Sequence, residues 1–318
     1  MKFLNYIIAI ATLILLMTLL IKQKPQEHKL VGGPEEGTFT IFTAGIAACL
    51  ERQNPELAIK ALKTGGSSDN LKMVNKGKAE IGLAYAADSY LGFHGDLEDD
   101  KDRYSDIRAL GRVYSATAEL VVRHNSIIET PYDLVKRRIA IGSPGSGSAH
   151  SAERYFRSLG IWHQLTPIYI GYHLGMMELS SGRAEAVWQL VGAPSRSIEH
   201  LNLKVPLRFI DLARAARASD FFVHYPFYTK AEIPAKTYRG QDRPIETFQD
   251  QTLLVCHIDT DPQLITELLN LIYSPVGVAA LRKRHPIAAD LNSHKGLQGV
   301  TIPLLPVAET FWKELGQL

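Results

Sequence analysis

Residues 138–160, RIAIGSPGSGSAHSAERYFRSLG, read as a strand, a glycine-rich turn and a helix in immediate succession. Ile139, Ala140 and Ile141 form a short apolar run that stops at Gly142-Ser143-Pro144-Gly145. Ala149, Ala152, Phe156 and Leu159 then recur at three- and four-residue steps, which gives a helix one apolar face, and Gly160 stands where a left-handed C-terminal cap is expected. Between strand and helix, Gly145-Ser146-Gly147-Ser148 offers small residues whose backbone N–H groups point along a helix start. Unsatisfied amides and the helix dipole both present partial positive charge, so such a turn suits an anion. A Walker A loop is excluded because no Gly-Lys-Ser/Thr follows, and the nucleophile-elbow pattern fails at Pro144, two residues before Ser146. Taken alone, the motif fits a strand-to-helix turn without a ligand equally well.

Similar turns recur upstream. Gly32-Gly33-Pro34-Glu35-Glu36-Gly37-Thr38 opens a stretch of helical spacing through Ile46 and Leu50, and Thr64-Gly65-Gly66-Ser67-Ser68 opens a short helix that turns Leu71 and Val74 inward. Strands are expected at 57–62, 81–85, 119–123, 184–190 and 253–257, the stretch 95–106 as a surface loop, and 226–250 as irregular connection. This alternation predicts an α/β protein of mainly parallel sheets in two series, hence two lobes, with ligands collecting at the carboxyl ends of the strands where the glycine turns lie.

At 318 residues, with 35 basic and 33 acidic side chains, the chain has length for two cores and no basic excess to suit nucleic acid. Lys2 precedes an apolar run at 6–21 that ends in Lys22, Gln23, Lys24 and Pro25, the layout of an export signal. No small-x-small cleavage pattern follows, so an uncleaved inner-membrane anchor is the alternative, and in both cases the rest lies outside the cytoplasmic membrane. Cys49 and Cys256 read as buried free thiols, a single disulfide being left open. The eleven histidines show no metal-ligand spacing, and no cofactor motif is present. No nucleophile with an assignable base can be read off, so an enzyme is not expected. The turns point instead to a cleft in which Thr38, Ser67, Ser146 and Ser148 donate hydrogen bonds. Each of the four fits a plain helix cap as well, worth about 1 kcal/mol.

In the order and spacing of its motifs the chain after Leu30 resembles the TAXI family of TRAP-transporter solute-binding proteins. The resemblance rests on Gly32-Gly33-Pro34 with Gly37-Thr38, Thr64-Gly65-Gly66-Ser67 with Asn70-Leu71, Gly77-x-Ala79-Glu80-Ile81, and Gly142-x-Pro144-Gly145-Ser146-Gly147-Ser148. Further along it rests on Ile233-Pro234-Ala235 with Tyr238-x-Gly240-Gln241-Asp242, on His285-Pro286 and on Ile302-Pro303-Leu304. It implies a two-lobed type II periplasmic-binding-protein-like fold whose hinge strands let the lobes close over a small carboxylate or an amino acid such as glutamate. The solute would then pass to TRAP membrane transporter subunits. The expected division is a signal or anchor at 1–28, a first lobe at 29–122 plus 255–318 and a second at 123–254, with 119–123 and 253–257 as hinge strands. The ligand carboxylate is expected against Gly145, Ser146, Gly147 and Ser148 and one first-lobe turn, either Gly33, Gly37 and Thr38 or Gly65, Gly66 and Ser67. Tyr85, Tyr172 or Trp188 would pack on the remainder. Arg112 and Arg123 are secondary carboxylate partners, as strand-start arginines more often face solvent. Glu35-Glu36 departs from the family pattern and would oppose a dianion. A membrane-tethered sensory module using the same cleft is the alternative role.

Overall fold

A computed structural model describes residues 27–318; the apolar run at 6–21 lies outside them. The chain enters through β1 (Glu27–Val31), two residues before the expected start of the folded part, and pairs in parallel with β2 (Ala58–Leu62) and β3 (Ile81–Tyr85). Three helices link and follow these strands: α1 (Thr38–Gln53), α2 (Ser67–Asn75) and α3 (Ala86–His94). Helix α1 forms because Phe39, Phe42, Ile46 and Leu50 recur at three- and four-residue steps, and it buries that stripe in the core. The second lobe repeats the plan. Strand β5 (Arg138–Gly142) lies in parallel between β6 (Thr166–Tyr169) and β7 (Ala186–Val191), with α4 (Gly147–Ser158) after β5 and α5 (Tyr172–Ser181) after β6.

Two long strands run between the lobes. Strand β4 (Ile107–Arg123) pairs antiparallel with β10 (Ile245–His257) over Ile107 to Thr117, then with β7 and with β8 (Leu207–Ile210). Strand β10 in turn borders β3 in the first lobe and β9 (Thr229–Ile233) beyond the second. The sheet order is β2-β1-β3-β10-β4-β7-β5-β6, so the parallel sets stay within the lobes and the antiparallel pairs belong to the connecting strands. The strand expected at 119–123 is only the far end of β4. The stretch 226–250, expected to be irregular, holds β9 and the first half of β10. Its alternation is masked because polar side chains there are buried with partners: Thr247 donates to the Ala118 carbonyl at 2.6 Å, and Asp250 is fully enclosed.

Trp188 packs with Tyr155, Phe156 and Phe248 at ring separations of 5.2 to 5.8 Å, and its indole N–H donates to Ser151 at 3.0 Å. It is a core side chain of the second lobe and does not reach the cleft. Cys49 and Cys256 are both buried and free. Among the described residues no single helix is long and apolar enough to cross a membrane.

Candidate functional site

Strands β1, β3, β5 and β7 all point their carboxyl ends at one place, and the turns leaving them form its walls. A cavity there is lined by Pro34, Gly37, Thr38 and Phe39 from the first turn and by Gly65, Gly66 and Ser67 from the turn before α2. Tyr85 ends β3, Ser143, Ser146, Gly147 and Ser148 come from the turn before α4, and Tyr172, Leu190 and Val191 complete the lining. Ten of the expected site residues therefore meet around one space: Gly37, Thr38, Gly65, Gly66, Ser67, Tyr85, Ser146, Gly147, Ser148 and Tyr172. Gly33, Gly145 and Trp188 do not line it. Gly33 is tied back, its N–H to the Thr40 hydroxyl at 3.3 Å and its carbonyl to the Thr64 N–H at 3.2 Å. Phe39, Leu190 and Val191 were not anticipated, because apolar residues beside a turn carry no signal that separates a wall from a core.

The walls are nearly shut. The cavity has a volume of only about 20 Å³. Gly66 adopts φ +136°, a conformation open only to glycine, and a Cβ there would stand 3.2 Å from that of Ser146 on the facing turn. Gly147 lies so close to Tyr85 and Asp88 that any side chain would run into both. Polar contacts cross the gap as well: Thr38 donates to the Gly192 carbonyl at 3.3 Å, Tyr85 to the Leu190 carbonyl at 2.6 Å, and Ser68 meets His150 at 3.0 Å.

Each helix start presents amides that have no acceptor within its own helix, at Thr38 and Phe39, at Ser67, and at Gly147 and Ser148. The hydroxyls also have local work. Ser146 accepts from the Ala149 N–H at 3.1 Å as a helix cap. Ser148 donates to the Ile141 carbonyl at 3.0 Å, and Ser67 accepts from the Tyr85 N–H at 2.9 Å. The cavity lining contains no lysine, arginine or histidine. An anion held here is met by backbone amides, hydroxyls and helix dipoles rather than by a cationic side chain. Glu35 and Glu36 point away from the cavity, Glu35 to Lys63 at 2.8 Å and Glu36 to His173 and His200 at 3.3 and 3.6 Å.

Beside the cavity lies a buried charge cluster that spacing did not reveal. From α4, Arg154 reaches Asp88 at 2.8 Å and Glu98 at 2.7 Å, and His150 reaches Asp88 at 3.6 Å and Asp99 at 3.3 Å. Burial disfavours charge on Asp88, yet Arg154 and His150 hold its carboxyl well below the usual range. Burial likewise opposes a charged His150, but Asp88 and Asp99 raise it to about 10. Asp250, enclosed nearby, is pushed well up by burial and by the Asp88 charge.

Arg112, a secondary candidate for a carboxylate partner, is buried and does not line the cavity. Its guanidinium is held by Asp290, by Gln251 and by Ser115 at 2.7 Å. Ser115 and Thr117, which alternate with Tyr114 along β4, face a second and wider hollow of about 630 Å³ shared with Pro234 and Asp290.

The fold is that of two-lobed binding proteins. It resembles a putative L-cystine ABC transporter protein from Listeria monocytogenes, with 13% identity and a TM-score of 0.52 over 84% of this chain and 98% of that one. It also resembles the substrate binding protein of an amino acid ABC transporter, with 10% identity and a TM-score of 0.50 over 82% and 99%. The family model described as NMT1-like matches residues 30–316, nearly everything the structure describes, and this chain is thereby a member of the NMT1-like family.

Proposed function

We propose that this protein is the extracytoplasmic solute-binding component of an uptake system of the TRAP type, in its TAXI branch. In this role it binds a small carboxylate or an amino acid such as glutamate between its lobes and hands it to membrane transporter subunits. The observation that carries the reading is the convergence of glycine- and serine-rich helix starts from both lobes on one cation-free cavity. The matching family and the two-lobed fold support it. In this reading the segment before Glu27 exports the chain or tethers it to the inner membrane. The lobes divide near residues 122 and 254, and bending occurs where β4 and β10 change partners, at Thr117 opposite Gln249.

A calorimetric screen of organic acids and amino acids on the folded part tests the proposal, since a ligand that binds only the native form also raises the melting temperature. Ser146→Phe places a ring where Gly66 leaves no room and removes the α4 cap, at a cost of about 1 kcal/mol. Binding is expected to vanish while the circular-dichroism spectrum is kept. Undiminished affinity in Ser146→Phe would refute this placement of the ligand.

A further inference from the structure

Strand β4 passes the cleft at Thr117 and continues to Arg123 at the outer end of the second lobe, about 20 Å further at the rise of a strand. There Arg123 pairs with Leu207, the first residue of β8, so the loop leaving β4 and the loop entering β8 lie side by side. The His124 N–H ties them, donating to the Pro206 carbonyl at 2.9 Å. Each loop carries an apolar tip: Ile127 is 75% exposed and Leu203 68%. Single exposed apolar side chains are ordinary, so the tips alone decide nothing. These two are held in place, however. The Arg208 guanidinium donates to the carbonyls on either side of Ile127, those of Ser126 and Ile128, at 2.7 and 2.9 Å. Asn202, next to Leu203, is buried and donates to the Arg239 carbonyl at 2.7 Å. Cations flank both tips. Lys204, Arg239 and His124 line a hollow of about 370 Å³ whose wall has no acidic residue. An adjoining hollow of about 320 Å³ shares His124 and adds Arg208, Arg243 and Asp242. Of the lysine and arginine side chains here, only Arg243 has an acid partner among the described residues, Asp211 at 2.9 Å.

We propose that this end of the second lobe is a membrane-docking face. Lys204 and Arg239 meet the phosphates of anionic lipid headgroups, and Ile127 and Leu203 enter the hydrocarbon boundary beneath them. A bilayer surface takes both kinds of side chain at once, because it sets phosphate and hydrocarbon at successive depths. A free phosphate would meet the cations and leave both tips in water. None of these residues lines the cleft, so the face works whichever solute binds, and docking by it leaves the cleft unobstructed.

Residues 27–318 hold the complete sheet and its core, and using them keeps the apolar run at 6–21 out of the assay. Co-sedimentation with vesicles of mixed phosphatidylglycerol and phosphatidylcholine, against phosphatidylcholine alone, reads the partition. Binding is expected to the anionic vesicles only, and to weaken in high salt as the charges are screened. Each cation near an anionic surface is worth about fivefold in partition, so Lys204→Gln with Arg239→Gln should lower it about 25-fold. Ile127→Ser with Leu203→Ser should lower it about tenfold by removing the inserted carbon. Lys78→Gln with Lys283→Gln makes the same change of net charge on exposed residues of the first lobe and should leave partition unchanged. All six side chains are exposed, so the variants should melt with the parent. Absence of binding to the anionic vesicles, equal binding to phosphatidylcholine alone, or an equal loss in the first-lobe variant overturns the inference. So does a loss confined to the Lys204 and Arg239 variant with the serine variant unchanged, which would assign the patch to a soluble phosphate or an acidic protein segment.

Discussion

Glu119 shows how far a single buried side chain can shape the behaviour of this chain. Its carboxyl is fully enclosed, and desolvation raises its pKa to about 8 in spite of the Tyr238 hydroxyl 2.8 and 2.9 Å from its two oxygens. One phenol cannot donate to both oxygens; a neutral carboxyl resolves this by donating back to the phenol oxygen through its own O–H. An acid whose folded pKa is raised binds its proton more tightly when folded, so stability is full below the unfolded value near 4.5 and declines as the pH rises toward 8. Urea midpoints should therefore fall between pH 5 and pH 8, and Glu119→Gln should flatten that fall; an equal slope in the variant would count against a buried neutral acid. Residues of this kind were hard to read in advance. Glycines and serines at the turns were legible because local spacing fixes a turn and its helix start together. Arg112, Trp188 and Glu119 were not, since their roles depend on neighbours from strands far away in the chain, such as Gln251 for Arg112 and Phe248 for Trp188.

Helix α4 joins two tasks on one element. Its first turn, at Gly147 and Ser148, lines the cleft, and its next turns carry His150 and Arg154 to the acids of the first lobe. In the proposed role, occupying the cleft and closing the lobes would therefore move the same rigid rod. Removing one member of a buried ion pair strands the other, at about 3–5 kcal/mol. Arg154→Met should cost that much in a denaturant titration, and Asp88→Asn on that background should cost much less than in the unaltered protein. Additive losses would mean that the two side chains act separately. For His150 the pKa is raised, so its contribution is complete below about pH 6.5, the ordinary histidine value, and disappears as the pH climbs through about 10. The parent's midpoint should fall as the pH climbs toward 10, and a His150→Gln protein should lack that fall. At this scale the strand–turn–helix units were legible from the sequence because each is short and self-contained. The hairpin of β9 and β10 was not, since Thr247 and Asp250 hide a strand under a polar pattern and their partners lie in other elements.

In the whole molecule, two parallel α/β units face each other across a pair of long antiparallel strands, and the helix starts of both units meet at the junction. The order of the glycine motifs along the chain was enough to anticipate two lobes with a shared cleft. The extent of closure was not legible, because it depends on how nearly Gly66 and Gly147 let facing backbones approach. Nor was the second hollow behind the connecting strands, which Pro234 and Asp290 shape from opposite lobes. In the proposed role an acid is gripped by backbone amides from both lobes at once. Amide-resolved NMR, with the acid that gives the largest thermal shift titrated into nitrogen-15-labelled protein, tests it most directly. The largest shifts are expected together at Thr38 and Phe39, at Ser67, and at Gly147 and Ser148, saturating at one ligand per chain. Shifts confined to one lobe, or centred on Ser115, Pro234 and Asp290 while these amides stay still, would contradict it.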